Sequence, residues 1–385
     1  MITVASETRQ VVPELRSAVS WIDARLAGLI LGSCAIVAVA GLVQVSFGTY
    51  TMSIADAWAA VFDPVVWTNP QYPLRLLLGD WLGTEVARLL GFSTAEVDLA
   101  RESLIVWGLR LPRVLVAVLV GTNLAISGAV FQAVTRNELA SPFILGVSAG
   151  AGLAILLTLV VFSGLATFLP LIAAGGGAVA FALVYAIAWK GGTNPVRLVL
   201  AGVIVSTVFG SLQTGLFFFT EDLGVVQSAI SWTTGSLTGV DWEQVRIALP
   251  WTVLLTVPLT LLGARQLNVL LLGERTARSL GMSVERVRFL LSAVAVLAAG
   301  TAIAVAGIVS FVGLIVPHMV RQLVGSDYKR VVLGSVFAGP ALVTVADVGA
   351  RLAVPGTQLP VGIVTGLVGG PYFLYLMRKT EVGEL

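Results

Sequence analysis

Residues 289–320 read FLLSAVAVLAAGTAIAVAGIVSFVGLIVPHMV, and His318 is the only strongly polar side chain among them. A helix rises about 1.5 Å per residue, and the hydrocarbon core of a bilayer is about 30 Å thick. The stretch is therefore too long for one untilted crossing and too short for two complete ones. It predicts a chain that enters a membrane, turns within it and leaves on the same side.

The charges on both sides of this stretch are basic. Five arginines precede it and three basic residues follow it: Arg265, Arg275, Arg278, Arg286, Arg288, Arg321, Lys329 and Arg330. Because Lys and Arg concentrate in short cytoplasmic loops, both flanks are predicted to be cytoplasmic. The stretch then holds two short spans, with a hinge near Gly307 or Gly313.

The composition of the whole chain agrees with a membrane protein. Of its 385 residues, 57% are hydrophobic and 11% are charged, whereas an ordinary soluble domain carries about 25% charged residues. The 41 glycines suit close helix packing in lipid. The net charge of +2 gives no reason to expect a nucleic-acid partner.

Other apolar runs complete the predicted topology. They cover residues 26–47, 114–134, 143–162, 165–189, 198–219, 247–262, 331–350 and 361–377. The predicted fold class is an all-α, polytopic transmembrane helical bundle of about ten spans in the cell membrane, with both termini cytoplasmic. Residues 1–25 then form a cytoplasmic segment and residues 26–385 a transmembrane domain. This topology places 16 of the 23 Lys and Arg residues inside.

The first apolar run has an alternative interpretation as a cleaved signal, because Ala38-Val39-Ala40 resembles a signal-peptidase site. The run continues past that site to spanning length, which favours a retained span. The longest loop, residues 48–107, is predicted to be extracytoplasmic. Apolar residues between Leu76 and Leu90 recur at helical spacing, which predicts an amphipathic helix on the protein or on the membrane surface.

Several segments resemble one family of transport proteins. They are residues 109–113 (LRLPR), 128–132 (GAVFQ), 137–142 (NELASP), 145–151 (LGVSAGA), 232–237 (WTTGSL), 272–281 (LGERTARSLG), 311–321 (FVGLIVPHMVR) and 359–362 (LPVG). In this order they resemble the FecCD/BtuC-type permeases of ABC importers for ferric siderophores, haem and vitamin B12. Glu138 departs from the family's usual Asn-Pro-Leu-Ala.

The resemblance implies a subunit that moves a metal chelate into the cytoplasm by alternating access and catalyses no reaction itself. It implies three partners: an ATP-binding subunit dimer, an extracytoplasmic substrate-binding protein and a second copy of the chain. No G-x-x-x-x-G-K-[ST] phosphate loop occurs in the sequence, so this chain is expected to hold no cofactor and the partner to bind ATP. A secondary transporter is the alternative, although that class normally places ionisable groups at the membrane midplane.

Arg110, Arg113 and Arg351 lie at the outer ends of predicted spans. An arginine fork can hold a carboxylate at two points, which favours docking of the binding protein, and the resemblance implies the same use. The alternative is anchoring at the membrane interface. Asp347 and Arg351 are four residues apart, so they could also pair on one helix face.

Two cytoplasmic groups follow from the resemblance. The first matches the family's ATPase-docking segment within the coupling loop 265–288: Gly273, Glu274, Ala277, Arg278, Leu280 and Gly281. The second matches a cytoplasmic gate: Asn137, Leu139, Thr193, Asn194 and Pro195. A solvated loop helix and ordinary turn chemistry are the respective alternatives. His318 is interpreted as a packed or backbone-bonded residue rather than a ligand.

Overall fold

The structure is a computed structural model, and it describes residues 23–47, 52–93, 95, 97–220, 222–354 and 357–382. Every regular element within these residues is helical. Most of the predicted cytoplasmic segment 1–25 and the last three residues lie outside the described residues. The cytoplasmic location of both termini therefore stays a prediction.

The helices follow one another in this order: α1 Ala24–Ser46, α2 Ile54–Val61, α3 Pro64–Thr68, α4 Gln71–Leu78, α5 Asp80–Leu89, α6 Arg101–Thr135, α7 Val147–Val160, α8 Leu169–Ala188, α9 Pro195–Phe217, α10 Leu223–Thr234, α11 Trp242–Leu271, α12 Glu274–Ser279, α13 Val284–Ala306, α14 Val312–Val324, α15 Tyr328–Leu352 and α16 Val361–Val382. Among the described residues, seven helices are long and apolar enough to cross a membrane: α1, α6, α8 with its preceding turn, α9, α11, α13 and α15. Three shorter apolar helices are α7, α14 and the Val361–Tyr375 part of α16. All ten predicted runs are thus helical, while ten as the number of spans stays a prediction.

Helix α6 forms the centre of the bundle. The most apolar part of α6 is 89% buried, against 22% for α1. Glycines let the neighbouring helices approach α6 closely. A Cβ added to Gly128 would lie 1.8 Å from the carbonyl oxygen of Gly313 on α14, and one added to Gly121 would lie 2.4 Å from that of Gly339 on α15.

The 289–320 stretch breaks at the predicted hinge. Helix α13 ends at Ala306, Gly307 has φ +70°, and α14 begins after Phe311, which has φ +66°. The hinge near Gly307 is confirmed, but the prediction of two short spans is wrong for the first, since α13 has 23 residues. It begins before Phe289 because Val284 and Arg288 are buried in the bundle, which favours helix there.

Main-chain bonds from another part of the chain stabilise this break. The Ile308 amide donates to the Trp232 carbonyl oxygen at 2.9 Å, and the Ser236 amide donates to the Ala306 carbonyl oxygen at 2.8 Å. Irregular backbone inside a membrane bundle requires such partners, because no water or lipid group can replace them. The end of α10 therefore supports the turn between α13 and α14.

The predicted outer loop 48–107 is largely helical. It contains α2 to α5 and the beginning of α6, whose first helical residue, Arg101, lies well before the predicted span at residue 114. The predicted amphipathic helix is two helices, α4 and α5, because the chain turns at Gly79 with φ +83°. Arg246 of α11 donates to the carbonyl oxygen of Leu76 at 3.0 Å, so this region packs on its own protein.

Candidate functional site

The predicted site residues lie at the two opposite ends of the bundle. One end, called the Arg113 end, holds the end of α1, the first turns of α6, the end of α15 and the residues before α16. The other end, called the Arg288 end, holds α12, the start of α13 and the turn between α8 and α9. Successive helices among the seven long and three shorter apolar ones run in opposite directions, so the residues of these two groups lie at opposite ends of the bundle.

At the Arg113 end, Arg113 of α6 forms a two-point ion pair with Asp347 of α15. The Nε and Nη2 atoms of Arg113 lie 2.9 and 2.8 Å from the two carboxylate oxygens. The Arg113 Nη1 atom donates to Gln358 Oε1 at 2.8 Å, and Gln44 of α1 donates to Asp347 at 2.5 Å. Arg113 and Asp347 are both buried. This pair joins α1, α6 and α15 at one point.

The other two predicted docking arginines bind backbone carbonyls at the end of α1. Arg110 donates to the carbonyl of Val45, and Arg351 donates to that of Gln44 at 3.0 Å. A helix C-terminus has unpaired carbonyls and a partial negative charge, so guanidinium groups suit this position. Three arginines and Asp347 thus form one cluster, called the arginine cluster here: Arg110, Arg113, Asp347 and Arg351.

The cluster differs from the sequence interpretation in two respects. The expected pairing of Asp347 with Arg351 is wrong, because the carboxylate of Asp347 is turned towards the fork of Arg113 and Arg351 binds α1 instead. Arg110 and Arg113 are also buried, at 5% and 7% exposure, whereas Arg351 is half-buried. Arg351 is therefore the member best placed for a direct contact with a partner.

At the Arg288 end, the six predicted coupling residues form one short helix and its two ends. Helix α12 lies between Gly273 with φ +97° and Gly281 with φ +80°. Both values favour glycine because a Cβ is strained in the left-handed region. Ala277 is fully buried, while Leu272 and Leu280 are 62% and 64% exposed. The helix therefore packs through Ala277, and the two leucines that flank it face outwards.

The predicted gate residues form two turns. Asn194 caps α9 by accepting from the Val196 amide at 2.8 Å, and Pro195 occupies the first turn of that helix. Asn137 accepts from the Leu139 amide at 2.9 Å, and the Leu139 side chain is exposed. These are the hydrogen bonds expected of capping and Asx turns. Turn chemistry is thus present in both segments, and a gate role stays a prediction.

Arg288 joins the coupling helix to one of these turns, and the sequence did not single it out. Its Nη2 atom lies 2.7 Å from Glu274 Oε1, and its Nη1 atom donates to the carbonyl oxygen of Thr193 at 2.7 Å. The same Nη1 atom lies 3.2 Å from Glu285, which accepts from both the amide and the hydroxyl of Thr193. The only local signal was the i, i+3 spacing of Glu285 and Arg288.

Glu138, the departure from the family's motif, binds α14. Its two carboxylate oxygens lie 2.5 Å from Arg321 Nη1 and 3.2 Å from His318 Nδ1. The hydrogen bond with His318, followed by the charge and hydrogen bond of Arg321, lowers the pKa of Glu138 to about 2 despite its partial burial. His318 has structural partners, as expected, but they are the side chains of Glu138 and Gln322 and not the backbone.

Comparisons with known proteins identify the family to which the chain belongs. The FecCD transport family model matches residues 36–379. The chain is 38% identical over 290 residues to the iron(3+)-hydroxamate import system permease protein FhuG of Bacillus subtilis (strain 168), covering 73% of this chain and 86% of that protein. It is 42% identical over 282 residues to the cobalamin import system permease protein BtuC of Halobacterium salinarum, covering 73% and 75% of the two chains.

A solved structure, described as an inward-facing conformation of a metal-chelate type ABC transporter, matches with a TM-score of 0.73 and 25% identity, covering 92% of this chain and 99% of that one. Family, relatives and fold lead to one conclusion. The chain belongs to the FecCD transport family of ABC importer permeases, and it is a multi-pass membrane transport subunit rather than an enzyme.

Proposed function

We propose that the chain moves an iron(III)-siderophore, or a related metal chelate such as cobalamin or haem, into the cytoplasm by alternating access driven by a separate ATPase. The observation that carries the proposal is the pair of unlike surfaces at the two ends of the bundle. One end holds the arginine cluster, and the other holds a short helix with two exposed leucines. An ATP-driven importer needs two such surfaces, one that receives the cargo and one on the opposite side that binds the ATPase.

The proposed orientation puts the Arg288 end in the cytoplasm. Its connecting turns, its short helix α12 and the helix ends beside them carry Arg136, Arg265, Arg275, Arg278, Arg286, Lys329 and Arg330, as the positive-inside rule expects. Seven long and three shorter apolar helices support ten spans with both termini cytoplasmic. In this orientation α12 meets the ATP-binding subunit dimer, and Leu272 and Leu280 offer it exposed apolar side chains.

The arginine cluster then faces the extracytoplasmic substrate-binding protein. Arg351 offers its half-buried guanidinium to a carboxylate of that protein, and the buried Arg110 and Arg113 lie behind it. Charges of this kind increase the rate and specificity of association more than the affinity. A second copy of the chain completes the pathway, because importers of this type assemble about a two-fold axis.

Reconstitution in vesicles tests this function. The purified chain, its ATP-binding subunit and its binding protein are incorporated together, and uptake of an iron(III)-hydroxamate, cobalamin and haem is measured with and without ATP. We expect one of these cargoes to accumulate only when ATP is present on the side of the ATPase. Uptake that follows an ion gradient and ignores ATP would identify a secondary transporter instead.

A further inference from the structure

The side chain of Arg288 contacts three segments that are distant in sequence. Glu274 belongs to α12, Glu285 to the first turn of α13, and Thr193 to the turn that precedes α9. Arg288 is 1% exposed, so these contacts are shielded from water. Thr193 is buried as well, and Glu285 holds it through its amide at 3.0 Å and its hydroxyl at 2.7 Å.

This arrangement links a surface helix to a buried turn through one rigid group. The guanidinium is planar, and its donors leave in fixed directions, so its contacts move together. Glu274 is bound by Nη2 at 2.7 Å, and the Thr193 carbonyl is bound by Nη1 at 2.7 Å. Displacement of Glu274 therefore requires either movement of Thr193 or loss of a buried charge-assisted hydrogen bond, which is costly.

The covalent chain offers no comparably short route between the two segments. Residues 280–283 connect α12 to α13, but Thr193 precedes Arg288 by 95 residues. The turn at Thr193 begins α9, which is only 28% buried in its most apolar part and is thus among the least enclosed candidate spans. A force delivered at the turn therefore acts on a helix with few internal restraints.

We infer that Arg288 transmits displacement of α12 to the turn at Thr193, and thereby positions the start of α9 during the transport cycle. The inference rests on the proposed function, because an ATPase must move α12. It assigns to Arg288 a positioning role between the coupling residues and one of the two predicted gate segments. No contact of Arg288 with cargo or nucleotide is involved.

Hydrogen exchange of the assembled permease–ATPase complex tests this role without knowledge of the cargo. Exchange is measured at the amides of residues 275–279 in α12 and of residues 191–194 in the turn, with and without ATP. In the wild-type complex we expect ATP to change exchange at both places. In Arg288→Lys, which keeps the charge but loses the fork, we expect the response of α12 to persist and that of the turn to be lost.

Arg197→Lys is the matched control. Arg197 donates to the carbonyl oxygen of Gly192 at 3.0 Å, so it contacts the same turn, and within the described residues no hydrogen bond or ion pair joins it to α12. We expect both responses to survive in this variant. Thermal unfolding of both variants is measured in parallel, because a purely structural role predicts a lower midpoint with the two responses still coupled.

Three results of the exchange experiment would contradict the role of Arg288. A turn that responds to ATP in Arg288→Lys as in wild type overturns the inference, and so does an equal loss in Arg197→Lys. A wild-type turn that stays unchanged while α12 responds overturns it too. If wild-type α12 itself ignores ATP, or no complex with an ATPase forms, the proposed function fails first and the inference fails with it.

Discussion

The guanidinium of Arg113 and the carboxylate of Asp347 face each other across 234 residues of sequence and form a buried, two-point ion pair between α6 and α15. Asp347 is fully buried and Arg113 is 7% exposed. Loss of Arg113 would leave Asp347 without its direct ion-pair partner, and loss of Asp347 would leave the three arginines of the cluster without their carboxylate. Loss of one member is therefore expected to lower the stability of the fold more than replacement of both members.

The first prediction follows from this asymmetry. Arg113→Met and Asp347→Leu should each lower the free energy of unfolding by about 3–5 kcal/mol, because each leaves one buried charge without its direct ion-pair partner. The double variant should lose less than either single variant, since it buries no unpaired charge. Thermal unfolding in detergent measures all three, and additive losses in the double variant would contradict the prediction.

The second prediction concerns docking at the Arg113 end. Arg351→Glu should weaken binding of the substrate-binding protein, and more so at low salt, because exposed charges are screened over about 10 Å at 0.1 M. Arg88→Glu is the control, since Arg88 is an exposed arginine on the same end whose contact is Glu85 of its own helix. Affinity of the folded variants at two salt concentrations is the measurement. Equal affinities for wild type and Arg351→Glu at both concentrations would remove the docking role.

The third prediction concerns pH and Glu138. Its pKa in the folded protein is lowered from 4.5 to about 2, chiefly by His318 and then by Arg321. A lowered folded-state pKa stabilises the fold above the unfolded value of 4.5, and the contribution is lost as pH falls from there towards 2. Glu138→Gln should thus be less stable than wild type near neutral pH, and the difference should shrink below about pH 4.5.

Thermal unfolding across that pH range measures the difference. His318→Gln separates the two partners, since it removes the imidazole and leaves Arg321 in place. A difference between Glu138→Gln and wild type that does not change with pH would show that the carboxylate's charge is not what binds α14. Glu138 is half-exposed, so its effect should be smaller than that of the Arg113 pair.

The fourth prediction concerns the closest helix crossing. Gly128→Ala places a Cβ only 1.8 Å from the carbonyl oxygen of Gly313, and neither backbone can retreat from a helix packed on several sides. The variant should lose on the order of 3 kcal/mol, at the upper end of overpacking costs. Gly210→Ala on α9 is the control, because nothing lies within 4 Å of its added Cβ. Equal midpoints for the two variants would contradict this crossing.

Local patterns in the sequence were sufficient for most of the helices. The apolar runs, the charges on both sides of residues 289–320 and Gly307 placed the hinge correctly, because hydropathy and backbone freedom act over a few residues. Helix α10 was not predicted, since its 12 residues mix apolar and polar side chains without a spanning run. The early start of α6 at Arg101 was also missed.

The contacts of the site residues could not be predicted from local sequence patterns. Asp347 had an arginine four residues away on its own helix, and local spacing favoured that partner. Its partner came from α6 because burial selects the group that can satisfy both carboxylate oxygens. Arg288 was counted only as one of several cytoplasmic charges. Its partner Thr193 lies 95 residues away, and spacing along the chain says nothing about such contacts.

The close glycine contacts of α6 separate a tightly packed group of helices from the less enclosed ones. Close backbone approach at Gly121 and Gly128 holds α15 and α14 against α6, the Arg113 ion pair joins α6 to α15 at one end, and Glu138, just after α6, joins α14 at the other. We therefore expect these three helices to move as one unit. A conformational change that opens a passage is then expected to involve the less enclosed helices, such as α9, moving relative to that unit.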